Sequence, residues 1–414
     1  MKTADAKNNN KFLSTITARL STLFVYTWLT EKTYRWITAC AVGIILIVSV
    51  ITIPSVITSI NKETNTPTII TTTTSPAQDS CPTQKVFFNL IDLSYTVALD
   101  INNDSKLDFI VGRENKMNFM ILFNTDNSTF HNPQLYDLNF TISFLMEINF
   151  NKDNQLDILA VYIPTGQLYI LINNANGTFS FFMTIELLSI ITTIRVADIN
   201  NNGIDDIVAI SKEYIKILIN IGNDTFVNVA QFKLDFSVHL IEVHDIDADD
   251  YPDIILIDSN QKMIVLFNMN NGSFQQIRYF LSIVNRHTII IDANNDNRKD
   301  ILMFGKAVKD YLLSFNTNPR SFTYPILYPI DLIYSFSVVS DMNDDDRTDI
   351  IWANSDNHQI GVIYNEESGH FINKVLFHNI QDPRILLIAD INNDHRKDIV
   401  VLCKRHLEIL FISC

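Results

Sequence analysis

Beyond residue 83 the chain is a succession of short apolar runs broken by polar turns, with no stretch of helical periodicity. The runs are rich in β-branched residues, as in Phe109-Ile110-Val111, Ile158-Leu159-Ala160-Val161, Ile207-Val208-Ala209-Ile210, Ile254-Ile255-Leu256-Ile257 and Ile399-Val400-Val401-Leu402. Apolar runs of this length between turn residues read as buried strands. A second run follows each, for example residues 168–172 and 215–219. A turn with an aromatic behind it comes next: Asn176-Gly177-Thr178-Phe179, Asn223-Asp224-Thr225-Phe226 and Asn271-Gly272-Ser273-Phe274. Asn-Gly between apolar runs predicts a hairpin, because both central residues of that turn need positive φ. A third run (179–188) and a fourth (191–197) complete the unit. Four strands in up-and-down order are expected per repeat.

The break between one unit and the next is a nine-residue acidic loop, and it fixes the architecture. It opens at Asp100 and returns at Asn149, Asp198, Asp245, Asp292, Asp341 and Asp390, every 47 to 49 residues. A fixed period of this size means one supersecondary unit in tandem, and four strands per unit predict a β-propeller blade. Seven repeats predict an all-β, seven-bladed β-propeller of four-stranded blades.

Oxygen-bearing side chains stand at positions 1, 3, 5 and 9 of every loop. They are Asp100, Asn102, Asp104 and Asp108; Asn149, Asn151, Asp153 and Asp157; Asp198, Asn200, Asn202 and Asp206; Asp245, Asp247, Asp249 and Asp253; Asp292, Asn294, Asp296 and Asp300; Asp341, Asn343, Asp345 and Asp349; Asp390, Asn392, Asp394 and Asp398. The seven loops hold more than half of the 46 carboxylates of a chain with net charge −15. Clustered carboxylates repel unless a cation sits among them. Oxygen-only donors in a flexible loop suit Ca²⁺ better than Mg²⁺, which demands a stricter octahedron. No Cys/His pattern for zinc is present, and the final Glu of an EF-hand is missing. Ca²⁺ is therefore the expected cofactor, in a structural role. Loop two opens with Asn149 and loop three has Asn202 at position 5, so these two are expected to bind more weakly.

The pattern Asp-x-Asn-x-Asp-x-x-x-Asp followed by two apolar residues, then Ile-Leu-Ile-Asn-x-x-x-Gly-Thr-Phe, resembles the FG-GAP/VCBS repeat family, which includes the integrin α-subunit propeller. The resemblance covers residues 83–414. One departure stands out: the family carries Gly at loop position 6, and only Gly203 matches here. Ser105 and His395 in particular are poor candidates for left-handed backbone. The resemblance implies adhesion or receptor-like recognition of an extracellular protein ligand. A carbohydrate-binding lectin is the alternative, since seven-bladed propellers of similar repeats bind sugars between blades. A polysaccharide-degrading enzyme is the third class. Nine scattered histidines and the absence of Gly-x-Ser-x-Gly, His-Glu-x-x-His or P-loop motifs predict no enzymatic activity. No nucleic-acid partner is expected.

The chain runs out after the third strand of repeat seven, so a donor from elsewhere must complete that blade. Residues 85–90, ahead of the first repeat, are the natural source. Closure of this kind removes open sheet edges. It also brings Cys81, at the start of the donated strand, beside Cys414, at the end of its neighbour, and predicts a disulfide between them. Cys403 is expected as a buried small hydrophobe.

Ahead of the propeller, residues 37–60 carry no charge and are long enough to cross a bilayer. Residues 1–36 contain Lys2, Lys7, Lys11, Arg19, Lys32 and Arg35 against Asp5 and Glu31. That positive excess predicts a cytosolic tail, a single-pass type II signal-anchor and an extracellular or lumenal propeller. Residues 61–82, rich in Thr and Pro, read as a stalk. Sequons at Asn127, Asn139, Asn176, Asn223 and Asn271 are candidate glycosylation sites. A sixth, at Asn103, lies inside an acidic loop, where a bound cation would disfavour a glycan.

Overall fold

The computed structural model describes residues 69–73 and 84–412, except for 91–92, 126–128, 188, 223–224, 259–261, 271–272, 280–285, 306–309, 319, 331–333 and 368. Residues 1–36, residues 37–60, Cys81, Cys414 and the sequons Asn127, Asn223 and Asn271 lie outside the described residues. Among the described residues no helix is long and apolar enough to cross a membrane.

Repeats one to six each fold into a four-stranded antiparallel sheet in sequence order, and a seventh sheet that mixes both ends of the chain completes seven blades. Blade one consists of Tyr95–Leu99, Asp108–Gly112, Lys116–Leu122 and Gln134–Ile142, and blade two of Phe144–Ile148, Asp157–Tyr162, Gln167–Asn173 and Phe179–Glu186. Every acidic loop joins the first strand of a blade to the second. The second strands are buried almost throughout, as at Asp253–Asp258 and Asp349–Asn354, because a blade in the ring has neighbours on both faces. This explains why they read as continuous apolar runs rather than alternating ones. Outer strands alternate instead, as Phe226–Lys233 does, with one face toward solvent. Blade five departs from the others by an extra two-stranded hairpin, Asn316–Asn318 with Ser321–Phe322, ahead of a short outer strand, Ile326–Pro329.

Blade seven closes as the sequence requires. Its three C-terminal strands, Pro383–Ala389, Asp398–Cys403 and His406–Leu410, are completed by Gln84–Asn89, paired from Lys85 opposite Leu410 to Asn89 opposite His406. Lys85 Nζ reaches Glu408 Oε1 at 3.1 Å across this seam. Ile69–Thr73 adds a fifth antiparallel strand outside Gln84–Asn89, so five residues of the segment read as a stalk lie on the sheet. Cys403 is fully buried and free.

The apolar interior is divided into seven clusters, one at each junction between neighbouring blades. The cluster around Val86, Phe88, Phe109 and Val400 joins blades seven and one, so the ring is continuous. The aromatic that follows each third-strand turn acts as a wedge into the preceding blade. Phe179 meets Phe119 edge-on at 6.1 Å and Phe274 meets Phe232 at 6.0 Å. Phe371 meets Tyr311 at 5.6 Å, and Phe130 meets Phe88 at 5.2 Å. Each edge-to-face pair adds about 0.5–1.5 kcal/mol beyond area burial.

Candidate functional site

The seven acidic loops share one backbone conformation, set by their own side chains. Positions 4 and 6 are left-handed in all seven, from Asn103 and Ser105 to Asn393 and His395. Ser105 (φ 65°) and His395 (φ 67°) adopt it as readily as Gly203 (φ 84°). Absence of glycine therefore does not change the turn. The cost of left-handed backbone, about 1 kcal/mol or more per residue, is offset by bonds to the side chain at position 1. In loop one the amides of Asp104 and Ser105 donate to Asp100 Oδ1 and Oδ2 at 3.1 and 2.8 Å. The same pair forms at Asp245, at 3.1 and 2.8 Å, and at Asp390, at 3.1 and 2.8 Å. Position 5 accepts the amide of position 7, as Lys106 N to Asp104 Oδ1 at 3.0 Å. Loop two is the exception: Asn149 Oδ1 accepts only from Lys152 N, at 3.1 Å. Its backbone amide donates to Asp205 of loop three at 2.6 Å, which ties the two loops together.

The position 9 aspartates are fully buried. In six loops one oxygen accepts the amide of position 2, as Ile246 N to Asp253 Oδ2 at 3.1 Å. In all seven the other accepts an amide from the end of the third strand, as Asn268 N to Asp253 Oδ1 at 2.8 Å. Six of them therefore brace three segments of their blade, and Asp157 braces two. Burial pushes Asp108, Asp157, Asp300 and Asp349 up to about 6, and Asp206, Asp253 and Asp398 up to about 7, against the pull of the amides they accept. A carboxylate oxygen has two lone pairs, so this bracing leaves capacity for a cation.

Cations of the protein itself enter several loops. In loop six Arg347, at position 7, donates to Asp345 Oδ2 at 2.6 Å and to Asn365 O at 2.7 Å. Arg298 pairs with Asp296 in the same way in loop five. Lys106 Nζ lies 3.7 Å from Asp104 in loop one. Part of the repulsion that argues for a metal is met by these side chains. Loop four differs. Carboxylate oxygens of Asp245, Asp247 and Asp253 come within 4.8 Å of one another. Arg320, from blade five, donates to Asp247 Oδ2 at 2.8 Å. Asp247 Oδ1 is buried and has no hydrogen-bond partner. An orphaned buried carboxylate oxygen aimed among two other carboxylates fits a hard cation such as Ca²⁺.

The asparagine that ends the third strand was not singled out from the sequence as a site, although it recurs just ahead of the turn. Its side-chain amide clamps each blade to the acidic loop of the one before. Asn220 donates to Phe150 O at 2.8 Å, Asn268 to Ile199 O at 2.7 Å and Asn316 to Ile246 O at 2.6 Å. Asn124 donates to Ile391 O at 2.9 Å across the closing seam. Asn173 and Asn365 reach the carbonyls of Asp100 and Asp292. Blade seven has Ile412 in this place, whose amide donates to Asp398 Oδ1 at 3.1 Å.

Of the candidate glycosylation sites, Asn139 lies exposed on the outer strand of blade one. Asn176 lies exposed on the turn of blade two, where Thr178 N and Oγ1 donate to its Oδ1.

Two segments, residues 149–209 and 341–401, match the FG-GAP-like repeat model. Each runs from one acidic loop to the second strand of the following blade. The chain thus carries FG-GAP-like repeats on a seven-bladed propeller. No curated protein matches the sequence. Among solved structures the fold is similar to an Agrocybe aegerita lectin that specifically recognises non-reducing terminal N-acetylglucosamine, at 17% identity and TM-score 0.58, over 76% of this chain and 91% of that one. It is also similar to BBS1N, solved in complex with ARL6DN, at 12% identity and TM-score 0.57, over 79% and 95%. A virginiamycin B lyase from Staphylococcus aureus aligns at 9% identity and TM-score 0.50, over 84% and 100%. These likenesses are of fold.

Proposed function

We propose that this chain is a calcium-stabilised, non-enzymatic binding propeller that presents its ligand face outside the cell on a type II membrane anchor, with a protein as the ligand. The observation that carries the reading is the set of seven like-folded acidic loops, all joining first to second strands. Together they make one rigid, carboxylate-rich face. Rigid scaffolds with variable loops suit recognition. The uncharged segment 37–60 with its basic flank supports the anchor. Asp245, Asp247, Asp249 and Asp253 would hold the first Ca²⁺. A bound ion would neutralise the converging carboxylates and pin the turn.

The test is thermal unfolding of the purified full chain with and without Ca²⁺. At a hundredfold excess over Kd each occupied site adds about 2.7 kcal/mol. The melting point is expected to rise with Ca²⁺, to fall back with EGTA, and to respond less in Asp247→Asn. Superimposable curves in Ca²⁺ and EGTA would remove calcium from the reading.

A second reading, carbohydrate binding, is favoured by one feature. A pocket of about 190 Å³ opens where blades three and four meet, lined by Asn200, Tyr251, Asn268, Asn270 and Phe274. Amide side chains beside aromatic rings are groups that engage sugar hydroxyls and sugar faces. The fold of the Agrocybe aegerita lectin is in keeping with it. Selective binding of the chain to one epitope on a glycan array, lost in Tyr251→Ala, would put this reading first. A blank array from folded protein would leave the protein ligand.

A further inference from the structure

In blade seven the hairpin between second and third strands gathers three different donors on one face. Lys404 and Arg405 alone separate Asp398–Cys403 from His406–Leu410, and Leu402 pairs with Leu407. That register sets Cys403 opposite His406, and strand alternation puts Glu408 on the same face. Cys403 Sγ, a ring nitrogen of His406 and a carboxylate oxygen of Glu408 all lie within 4.8 Å of one another. The order Cys-x-x-His-x-Glu is no zinc motif along the chain; only the hairpin makes it a cluster. Equivalent positions hold Tyr162, Gln167 and Tyr169 in blade two, and Ser211, Tyr214 and Lys216 in blade three. Cys403 is the one cysteine between residues 82 and 413, so no other blade of the repeat carries this donor set.

Two of the donors are held in place. Glu408 is buried, and its Oε1 accepts from Lys85 Nζ at 3.1 Å. Its Oε2 lies 3.5 Å from His406 Nε2. Two ligands at about 2.0–2.2 Å from a tetrahedral ion stand about 3.3–3.6 Å apart, so oxygen and nitrogen are already at ligand spacing. The ring of Phe87 lies against the imidazole, with centroids 5.8 Å apart. Lys85, on the other oxygen of Glu408, is the kind of outer-shell partner that orients a ligating carboxylate. Cys403 is fully buried, whereas His406 is partly open beside the exposed Lys404 and Arg405, which gives an ion a way in. Sulfur with imidazole and carboxylate suits Zn²⁺ rather than Ca²⁺ or Mg²⁺.

We propose that Cys403, His406 and Glu408 form a mononuclear zinc site that fastens the ring-closing seam, with the fourth position open to solvent. Burial and the neighbouring Glu408 and Asp382 carboxylates push the Cys403 thiol up, so an incoming ion must displace its proton to solvent. Thiolate and carboxylate then balance the two charges of the ion. Through Lys85 the site holds the donated strand Gln84–Asn89 as well as the hairpin. The proposal does not rest on calcium, on the membrane anchor or on what the propeller binds.

The probe is Co²⁺ alone, titrated into the purified, metal-free full chain in excess Ca²⁺ and followed by absorption in the near ultraviolet. Oxygen ligands give no thiolate-to-cobalt charge-transfer band, so the acidic loops are silent. The signal is the difference between the parent and Cys403→Ala, which cancels any cobalt held by Cys40, Cys81 or Cys414. A band that saturates at one cobalt per chain and is abolished by Zn²⁺ is expected. His406→Gln keeps the thiol and changes a side chain at the edge of the core. It should weaken cobalt binding by more than the roughly 10–100-fold that loss of an outer-shell partner costs. Zn²⁺ should raise the melting point of the parent and leave that of His406→Gln unchanged. No difference between the parent and Cys403→Ala, or a His406→Gln titration that overlays the parent's, overturns the proposal. A cobalt band in a chain whose melting ignores Ca²⁺ would remove calcium from the reading of the propeller and leave the zinc site standing.

Discussion

Replacing Asp253 by alanine is expected to destabilise the propeller by about 2–6 kcal/mol in EGTA, and by more in Ca²⁺, where a ligand is lost as well. The size follows from what the carboxylate holds. It accepts the amides of Ile246 and Asn268, both inside the blade. Alanine leaves two buried donors unpaired, at about 1–3 kcal/mol each. The chelator arm separates two roles. A residue that only binds metal has no effect once the metal is gone, whereas a brace matters whether the metal is present or not. Urea unfolding gives the measurement. A midpoint equal to the parent's in EGTA would show that the hydrogen bonds at Asp253 carry no net stability.

Introducing a carboxylate into the ring seam is expected to have the larger effect. Phe88 is fully buried among Phe109, Phe130 and Leu402 where blades seven and one meet. Loss of a buried Phe costs about 3–5 kcal/mol. Phe88→Asp adds a desolvated charge worth several kcal/mol more. The sum approaches the whole stability of a typical domain, about 5–15 kcal/mol. Undocking of Gln84–Asn89 would also expose the length of His406–Leu410 as an open edge, which invites aggregation. Size-exclusion chromatography should therefore show aggregate or unfolded chain. A monomer that still melts cooperatively near the parental temperature would mean that the donated strand is not needed to close the ring.

The overall architecture was legible because it is periodic. Loop spacing gave the blade count, continuous apolar runs gave the buried second strands, and a missing seventh outer strand pointed to residues 85–90. Features that depend on contact between repeats were not legible. The clamp asparagine stood in plain view before every one of the six third-strand turns. Its partner is a main-chain carbonyl some 70 residues away, and carbonyls have no sequence signature. Arg298 and Arg347 at loop position 7 look like surface charge until their guanidinium groups are seen against Asp296 and Asp345. Position 9 reads as one more ligand, yet its burial makes it a brace. The tolerance of left-handed backbone at Ser105 and His395 was hidden for a related reason. Residue preference at position 6 is a local quantity, while the aspartate that holds the turn lies five residues earlier.

The seam also sets a schedule for biosynthesis. Lys85 and Glu408 are 323 residues apart in the chain. At about 5–20 residues per second, Gln84–Asn89 emerges from the ribosome roughly 15–65 s before its partner strand exists. During that interval the first six blades can assemble in order, each on the one before. The Val86-Phe87-Phe88 segment can pair with Ile69–Thr73 on one edge, but its other edge must wait open until His406–Leu410 exists. Its protection in that window, by a chaperone or by a passing contact with the growing array, decides how much of the nascent chain ever becomes a ring.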